Sequence, residues 1–208
     1  MDELRLLTKK ERRQAYEQVF REAFPPAELK PLRSMEQQIA AGAYDFLGFF
    51  REGIPLGYAC CWKDGRFILI DYLCVRAEER NGGAGGRILT ALRARYPADT
   101  VFIGESEAPV GDPGRDALIL RRLNFDRRSG AVFLDYDCAL FGVHYKTMVW
   151  ATGPVDQAEV QRHHDAIYRR SFPRWLYDKA VQLPLQPGEA IKPRQVWDER
   201  PERGEEEI

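Results

Sequence analysis

The stretch "DYLCVRAEERNGGAGGRILTALRARYP", from Asp71 to Pro97, decides how this sequence is understood. An apolar segment passes through charged residues into four glycines within five positions, and a helical pattern follows at once. Glycine has no Cβ, so a ligand can come close to the backbone there. The first N–H groups of a helix lack partners inside the helix, and the helix dipole attracts negative charge to that end. The stretch therefore predicts a phosphate site between a strand and a helix.

Two common phosphate-binding patterns do not fit this loop. A P-loop needs lysine and then serine or threonine after its last glycine, whereas Arg87 and Ile88 follow Gly86. The dinucleotide pattern GxGxxG fails because Ile88 stands at its third glycine, and an early parallel βαβ unit is missing. A nucleotide-binding domain and a loop that merely connects strand and helix remain the alternatives.

The periodicity of apolar residues changes twice along the chain. Helical spacing of apolar residues predicts helices at 9–24, 34–42, 86–96 and 115–130. Alternating segments bounded by turn signals such as Asp64-Gly65 predict strands at 45–51, 55–62, 66–75 and 100–109, and a strand pair at 131–140 and 144–153. The helix at 115–130 is expected to place on its apolar face Ala117, Leu118, Leu120, Leu123 and Asn124.

This element order predicts a fold of the α/β class. We expect a central mixed sheet, mostly antiparallel, with helices on both faces, because hairpins flank one crossover connection. Residues 1–150 are predicted to form this domain. Residues 151–208 are predicted to form a C-terminal helical extension, interrupted at Pro173, with an acidic tail. The histidine pair His163-His164 on this extension is expected to be solvated or structural.

Composition limits the classes of function. The chain has 208 residues, of which 31 are basic and 32 acidic, so its net charge of -1 gives no reason to expect nucleic acid or a membrane as partner. The four cysteines include no CxxC pair, and their spacing with the three histidines fits no zinc pattern, so no metal site is predicted. No apolar run approaches the ~20 residues of a membrane span. A cytoplasmic protein with buried thiols is the expectation.

The loop and the element order together resemble the GNAT superfamily of acyl-CoA N-acyltransferases. The acyl-CoA-binding motif of this family, [Q/R]-x-x-G-x-[G/A], matches the run Arg80-Asn81-Gly82-Gly83-Ala84-Gly85. The apolar Leu73-Cys74-Val75 upstream resembles the end of the strand that precedes the motif. The resemblance covers roughly residues 4–150 and implies a GNAT-like fold.

The resemblance also implies acetyl-CoA as the co-substrate. Its pyrophosphate would be held by the backbone amides of Arg80, Asn81, Gly82, Gly83, Ala84, Gly85 and Gly86. Its pantetheine arm would pair with the backbone of Leu73, Cys74 and Val75, and basic side chains near the loop would meet its 3′-phosphate. In this family the strands before and after the loop splay apart, so that the thioester lies in the gap and the amine enters from the other side.

Amide formation from an amine requires that an ammonium lose a proton, which a nearby carboxylate assists. Glu105 and Glu107 lie on one face of their strand, at the end that turns from apolar to acidic. Both are predicted as catalytic residues, as a raised-pKa pair or as ligands of a cationic amine. A solvated strand end is the alternative. Asp71, in an otherwise apolar run, is a further base or a buried acid paired with a cation.

The predicted general acid departs from the family pattern. Relatives carry F-Y-x-x-x-G, whose tyrosine protonates the thiolate, whereas this chain has Asp126 after Phe125. Aspartate at its usual pKa near 4 is ionised at neutral pH and cannot donate a proton. Water, Tyr136 or Tyr145 remain as donors, and Tyr145 is predicted with the catalytic residues.

The predicted function is transfer of an acetyl group from acetyl-CoA to a primary amine of a small molecule or peptide. The amine would attack the thioester directly, so Cys74 needs no role as nucleophile. The alternative is a non-catalytic GNAT-like protein that binds CoA or a partner. The C-terminal extension is expected to pack on the domain, to form a homodimer contact, or to roof the acceptor site.

Overall fold

The computed structural model describes residues 2–26, 28–80 and 82–194, and every structural statement below concerns these residues. In chain order the strands and helices are β1 (Asp2–Leu6), α1 (Lys9–Ala15), α2 (Arg21–Ala23), α3 (Leu32–Ala40), β2 (Tyr44–Arg51), β3 (Ile54–Asp64), β4 (Phe67–Val75), α4 (Ala84–Arg95), β5 (Val101–Glu107), α5 (Pro113–Arg128), β6 (Val132–Leu140), β7 (Val143–Trp150), α6 (Gln157–Ser171), α7 (Arg174–Ala180) and β8 (Val181–Leu185). Within these ranges, no helix is both long and apolar enough to cross a membrane.

The strands form one eight-stranded sheet in the order β1-β2-β3-β4-β5-β7-β6-β8. Every neighbouring pair is antiparallel except β4 and β5, which run parallel across the α4 connection. The predicted mixed, mostly antiparallel sheet is therefore confirmed. The two outermost strands, β1 and β8, were not predicted. Both have five residues, and the sequences DELRL and VQLPL carry the charges or the proline that suit a sheet edge.

Helices cover both faces of the sheet, as predicted. We call the face that carries α1, α2, α3, α6 and α7 the α1 face, and the face that carries α4 and α5 the α4 face. Alternate side chains of each strand serve the two cores: Leu69 belongs to the core of the α1 face, and Ile68 to that of the α4 face. The four cysteines are free thiols and all are buried, as expected.

The first helix follows its sequence signals closely. Thr8 and Glu11 form the capping box, in which Glu11 accepts from the Thr8 N–H at 2.8 Å. Helical structure continues to Ala23 through a π-helical turn, Tyr16–Phe20, and ends before Pro25. Such π turns often lie near functional sites, and this one lies on the α1 face.

The feature that positions the site is the divergence of β4 from β5. Only three residue pairs join these strands, and the last joins Leu69 to Ile103. Asp71 then forms a β-bulge, because Cys60 and Cys61 of β3 lie opposite Tyr72 and Ile70. A bulge bends and twists its strand. From this point β4 stays with β3, while β5 continues beside β7 as far as Glu107, so a gap opens between β4 and β5.

The segment after residue 150 packs against the rest of the chain. Its two helices are separated at Pro173, as predicted, and β8 pairs with β6. Val160, Ile167 and Tyr168 of α6 are buried in the core of the α1 face. The boundary between a domain at 1–150 and an extension at 151–208 stays a prediction, and residues 195–208 lie outside the described range.

Candidate active site

The N-terminal end of α4 lies beside the gap between β4 and β5. The helix begins at Ala84, two residues earlier than predicted, with Gly83 as its N-cap in a left-handed conformation at φ 75°. No described side chain caps this end. The N–H groups of the first turn are therefore available to an outside acceptor. Asn81, which belongs to the predicted binding loop, lies outside the described residues.

The structural requirement for glycine differs between the positions of the loop. Gly83 needs its positive φ. A Cβ on Gly85 would lie 3.1 Å from Cζ of Phe125, so Gly85 allows α4 to pack against α5. A Cβ on Gly86 would meet no atom of the described residues within 4 Å. The fold therefore does not require Gly86, and the open space beside it fits a ligand at the helix terminus.

The basic side chains near the loop are held by the chain itself. The Arg80 Nε lies 3.3 Å from the carbonyl oxygen of Val75, and Arg87 donates to the carbonyl oxygen of Gly82 at 2.8 Å. Arg87 also pairs with Asp2 of β1 at 3.4 Å. These contacts keep positive charge at the end of β4 and around the first turn of α4.

Cys74, whose backbone is predicted to pair with the pantetheine arm, has a side chain suited to packing. It is 7 % exposed on the α1 face, and burial raises the pKa of its thiol to about 12. Because the thiolate is the reactive form, Cys74 is not an activated nucleophile. An open cleft of about 500 Å³ lies nearby between α1 and the β2–β3 turn, and it is bordered by Arg76 and Arg80.

Glu105 lies deep on the α1 face, where its two carboxylate oxygens are fully engaged. His164 Nε2 lies 2.8 Å from one oxygen and the thiol of Cys138 lies 3.3 Å from it, while the hydroxyl of Tyr168 donates to the other at 2.7 Å. Burial alone would raise the pKa of Glu105, but the contacts with His164 and Tyr168 outweigh it and hold the pKa below its usual value.

The two histidines of the pair have different surroundings. His164 is completely buried, and its Nδ1 lies 3.1 Å from the hydroxyl of Tyr136. His163 is partly exposed, stacks on Phe67 at 4.0 Å between ring centroids, and bonds to Asp64 at 2.7 Å. Helical geometry turns His164 toward the sheet, so His164 is structural, which was one of the two expectations for the pair, while His163 stays partly open to solvent.

Glu105, Cys138 and His164 also form the closest approach to a metal-ligand set among the described residues. Their ligand atoms lie within 4.8 Å of one another, although no metal site was predicted. Each of these atoms already has a hydrogen-bond partner in this group. The arrangement is therefore complete as a hydrogen-bonded network without an ion.

Glu107 and Tyr145 lie at the mouth of the gap, directly opposite each other in the register of β5 and β7. Glu107 accepts a hydrogen bond from Arg115 at the start of α5. A third residue, Glu28 in the connection between α2 and α3, was not identified from the sequence. Burial, and then the charge of Glu107, raise the pKa of Glu28. Burial and the charge of Glu28 in turn raise the pKa of Tyr145, so these three side chains interact electrostatically.

Asp71 is a buried acid paired with a cation, which was one of its two predicted roles. Lys30 contacts one carboxylate oxygen and the hydroxyl of Tyr44 donates to the other. Both members of the ion pair are less than a tenth exposed. Asp71 therefore fixes the bulge of β4 to the α2–α3 connection.

Asp126 lies on the α4 face, beside Ser106 of β5. Burial raises the pKa of Asp126 to about 6, and the side chain of Ser106 opposes this rise only in part. The pKa of Asp126 therefore lies above the usual value near 4 that the sequence expectation used, because burial disfavours the ionised form. At pH 7 a carboxyl group with this pKa keeps its proton for roughly a tenth of the time.

Comparisons with known proteins give a fold but no close relative. No family model matches the sequence, and no curated protein matches it. A solved structure assigned to the GNAT family of acetyltransferases, from Bacteroides thetaiotaomicron, is similar with a TM-score of 0.65 and 22% identity, over 78% of this chain and 94% of that one. Another such structure, from Desulfovibrio desulfuricans, has a TM-score of 0.54 and 15% identity, over 74% of this chain and 100% of that one.

An aminoglycoside 6'-N-acetyltransferase, solved in complex with coenzyme A, is also similar. Its TM-score is 0.56 and its identity 11%, over 74% of this chain and 99% of that one. At such identities the similarity concerns the fold and not the substrate. The sheet order, the parallel β4–β5 pair and these structural matches agree: the chain has the GNAT fold that its glycine loop predicted.

Proposed function

We propose that this protein transfers an acetyl group from acetyl-CoA to a primary amine of a small molecule or peptide. The observation that carries the proposal is the position of the gap between β4 and β5. It opens after Leu69 and Ile103 and extends along β4 toward Val75, whose side chain lies 3.7 Å from the place of a Cβ on Gly85 in the first turn of α4. A thioester held in this gap would be reached from the α1 face, where Glu107 lies opposite Tyr145 and the charge of Glu28 acts on both.

The residues of the loop suit the charge and shape of CoA. Free N–H groups and the helix dipole favour a pyrophosphate at the start of α4, and the open space beside Gly86 leaves room for it. The edge of β4 beyond Leu69 has no strand partner on the β5 side, so its backbone is available to the amide groups of a pantetheine arm. When bound, acetyl-CoA supplies the activated acetyl group.

The two faces of the gap offer different proton chemistry. On the α1 face, carboxylates with Tyr145 favour a cationic amine and can accept its proton. On the α4 face, Asp126 has a pKa of about 6 and can donate a proton to a leaving thiolate. Protonation of the leaving group makes Asp126 a candidate for the role that tyrosine has in the family pattern.

The direct test is a calorimetric titration of the full chain with acetyl-CoA, followed by measurement of free thiol with a panel of primary amines. We expect saturable binding and thiol release that depends on the amine. Absence of heat and of any shift in melting temperature at millimolar acetyl-CoA would contradict the proposal.

A second candidate function is binding of CoA without transfer. It is favoured by the complete engagement of Glu105, a predicted catalytic residue, in hydrogen bonds to His164 and Tyr168. Saturable acetyl-CoA binding, with no thiol release for any amine of the panel, would support this second function. Thiol release that is lost in a Glu107→Gln variant would exclude it.

A further inference from the structure

Four carboxylates border the gap on the α1 face, and two of them are committed to the fold. Asp71 is buried against Lys30 and the hydroxyl of Tyr44. Glu105 accepts from two side chains besides His164, and only 10% of its side chain is exposed. Both carboxylates already serve as acceptors in buried hydrogen-bonded networks, so neither is free to meet a substrate.

The third carboxylate, Glu107, is held by a cation. Arg115 donates a hydrogen bond to Glu107 from the first turn of α5, and the side chain of Glu107 is 13% exposed. The guanidinium of Arg115 fixes the position of the Glu107 carboxylate through a charge-assisted hydrogen bond. Glu107 is thus suited to hold a positive charge near Tyr145, its partner on β7.

The fourth carboxylate, Glu28, combines partial burial with loose engagement. The hydroxyl of Tyr72, the residue after the bulge of β4, donates to the carbonyl oxygen of Glu28 at 2.7 Å and so fixes this backbone at the gap. Its carboxylate meets Arg194 at 3.3 Å, and the guanidinium of Arg194 is 53% exposed. An exposed pair of this length contributes little and can be displaced.

The electrostatic surroundings favour proton uptake by Glu28. Burial and the negative charge of Glu107 raise its pKa, whereas Arg194 at the end of the described chain and Arg122 and Arg115 of α5 oppose the rise. The balance is a pKa above the usual value. A base with a pKa closer to neutrality accepts a proton more effectively in the transition state.

We infer that Glu28 is the catalytic base of the acceptor site, and that the acceptor is a primary amine that arrives as an ammonium, held between Glu28 and Glu107 beside Tyr145. This inference rests on the proposed acetyltransferase function. The ammonium gives one proton to Glu28, which releases it to water. The neutral nitrogen forms the C–N bond as the C–S bond breaks and gives its second proton to water. Asp126 protonates the sulfur, which leaves as the free thiol of CoA, and Asp126 then regains a proton from water.

The test compares Glu28→Gln with the full-length wild type, by thiol release from acetyl-CoA. The probes are cadaverine, ethanolamine and 2-phenylethylamine, which are protonated at pH 7, and 2,2,2-trifluoroethylamine, which is largely neutral there. We expect kcat/KM to fall about 100-fold or more for the protonated amines. The loss for trifluoroethylamine should be several times smaller, because this amine is already neutral and needs no base to remove an ammonium proton.

Two further readouts separate a base from a merely structural residue. In the wild type, kcat/KM should rise with pH through the pKa of Glu28, and this limb should be missing in Glu28→Gln. The variant should also melt at a higher temperature than the wild type at pH 8, with a smaller difference at pH 4. The reason is that a carboxyl group with a raised pKa favours the folded state only while it is protonated.

Glu17→Gln is the matched control. Glu17 is half-exposed and pairs with Arg21 in the helical segment that precedes Glu28. It should match the wild type in all assays, and acetyl-CoA affinity should stay within about twofold in both variants. If the wild type turns over these amines and Glu28→Gln does so equally well, or loses activity equally with all four, the inference is wrong while the proposed function stands. If the wild type releases no thiol with any of them, the proposed function fails first.

Discussion

The Nε2 atom of His164 lies 2.8 Å from a carboxylate oxygen of Glu105, and this contact joins α6 to β5 inside the core. His164 is completely buried, and its other ring nitrogen meets the hydroxyl of Tyr136 on β6. Tyr168, one turn further along α6, bonds to the second oxygen of Glu105. The C-terminal segment is therefore joined to the strand that borders the gap through polar groups that are largely buried.

Replacement of His164 should destabilise the protein strongly. His164→Ala removes the main partner of a buried carboxylate, and a buried charged acceptor left without its partner typically costs about 3 kcal/mol. We expect the free energy of unfolding in urea to fall by about this amount. His163→Ala is the control, because His163 is 35% exposed and should cost roughly 1 kcal/mol or less. Equal losses in the two variants would show that the buried contact contributes nothing.

The same contact should determine how the fold responds to acid. The pKa of Glu105 lies below the usual 4.5, so its ionised form favours the folded state. This contribution is complete above pH 4.5 and is lost as the pH falls through the lower, folded-state pKa. Glu105→Gln should therefore be less stable than the wild type at pH 7, and the difference should shrink toward pH 2–3. Melting curves over this range measure it; a difference independent of pH would contradict the assignment.

Gly86 offers the cleanest test of the predicted pyrophosphate site. Substitution of Gly83 or Gly85 would disturb a positive φ or the contact with Phe125, but a side chain at Gly86 meets open space. Gly86→Asp adds a negative charge where the proposed ligand has one, and Gly86→Asn adds the same shape without charge. We expect acetyl-CoA to bind at least about tenfold more weakly to the aspartate variant than to the asparagine variant.

The stability of the Gly86→Asp variant should rise, although its affinity for acetyl-CoA should fall. Both residues are better than glycine inside a helix, and an acid near the N-terminus gains from the dipole. Gly86→Asp should therefore melt at or above the wild-type temperature. Raised salt should reduce the affinity difference between the two variants, because it screens exposed charges. Equal acetyl-CoA affinities in low salt would place the anion elsewhere.

Much of the fold could be predicted because its signals are local. Asp64-Gly65 and the alternation around it predicted the β3–β4 hairpin, and the structure has Ile54–Asp64 paired with Phe67–Val75. The glycine loop predicted the start of α4 to within two residues. Turns, caps and glycines act over a few residues, so one sequence contains them in full.

What the sequence could not supply depends on contacts between distant segments. Glu28 joins the candidate site only because Tyr72, 44 residues away, holds its backbone. On α5, Leu118 and Leu120 were assigned to the apolar face, yet they are 60% and 46% exposed, while Ile119 is buried. Apolar residues are too evenly spread on this helix for its sequence to reveal which side meets the sheet.

Asp126 should make stability depend on pH near neutrality. Its pKa is raised from 3.8 to about 6, so its contribution is present at low pH and is lost as the pH rises through about 6. Asp126→Asn should match the wild type near pH 4 and exceed it at pH 8 by about 1–3 kcal/mol. Urea unfolding at both values measures this, with Asp99→Asn on an exposed loop as control. A variant that is less stable at pH 8 would mean that the carboxylate is well solvated or well paired.

The pair of Lys30 and Asp71 should be essential to the geometry of the gap, because it fixes the bulge at which β4 leaves β5. Lys30 also lies 5.6 Å from the centroid of Trp62 and 5.7 Å from that of Phe172, so a methionine at this position would have apolar neighbours. Lys30→Met alone leaves the charge of Asp71 buried and should lower the free energy of unfolding by about 3–5 kcal/mol.

The double variant Lys30→Met with Asp71→Leu removes both charges and should recover most of that loss, since a buried ion pair replaced by apolar groups is often neutral in stability. Its acetyl-CoA affinity should still be lower than that of the wild type, because β4 has lost the anchor of its bulge. Urea unfolding and calorimetry on the two variants separate stability from geometry. A double variant that binds acetyl-CoA as the wild type does would mean that the strand divergence is held by the backbone alone.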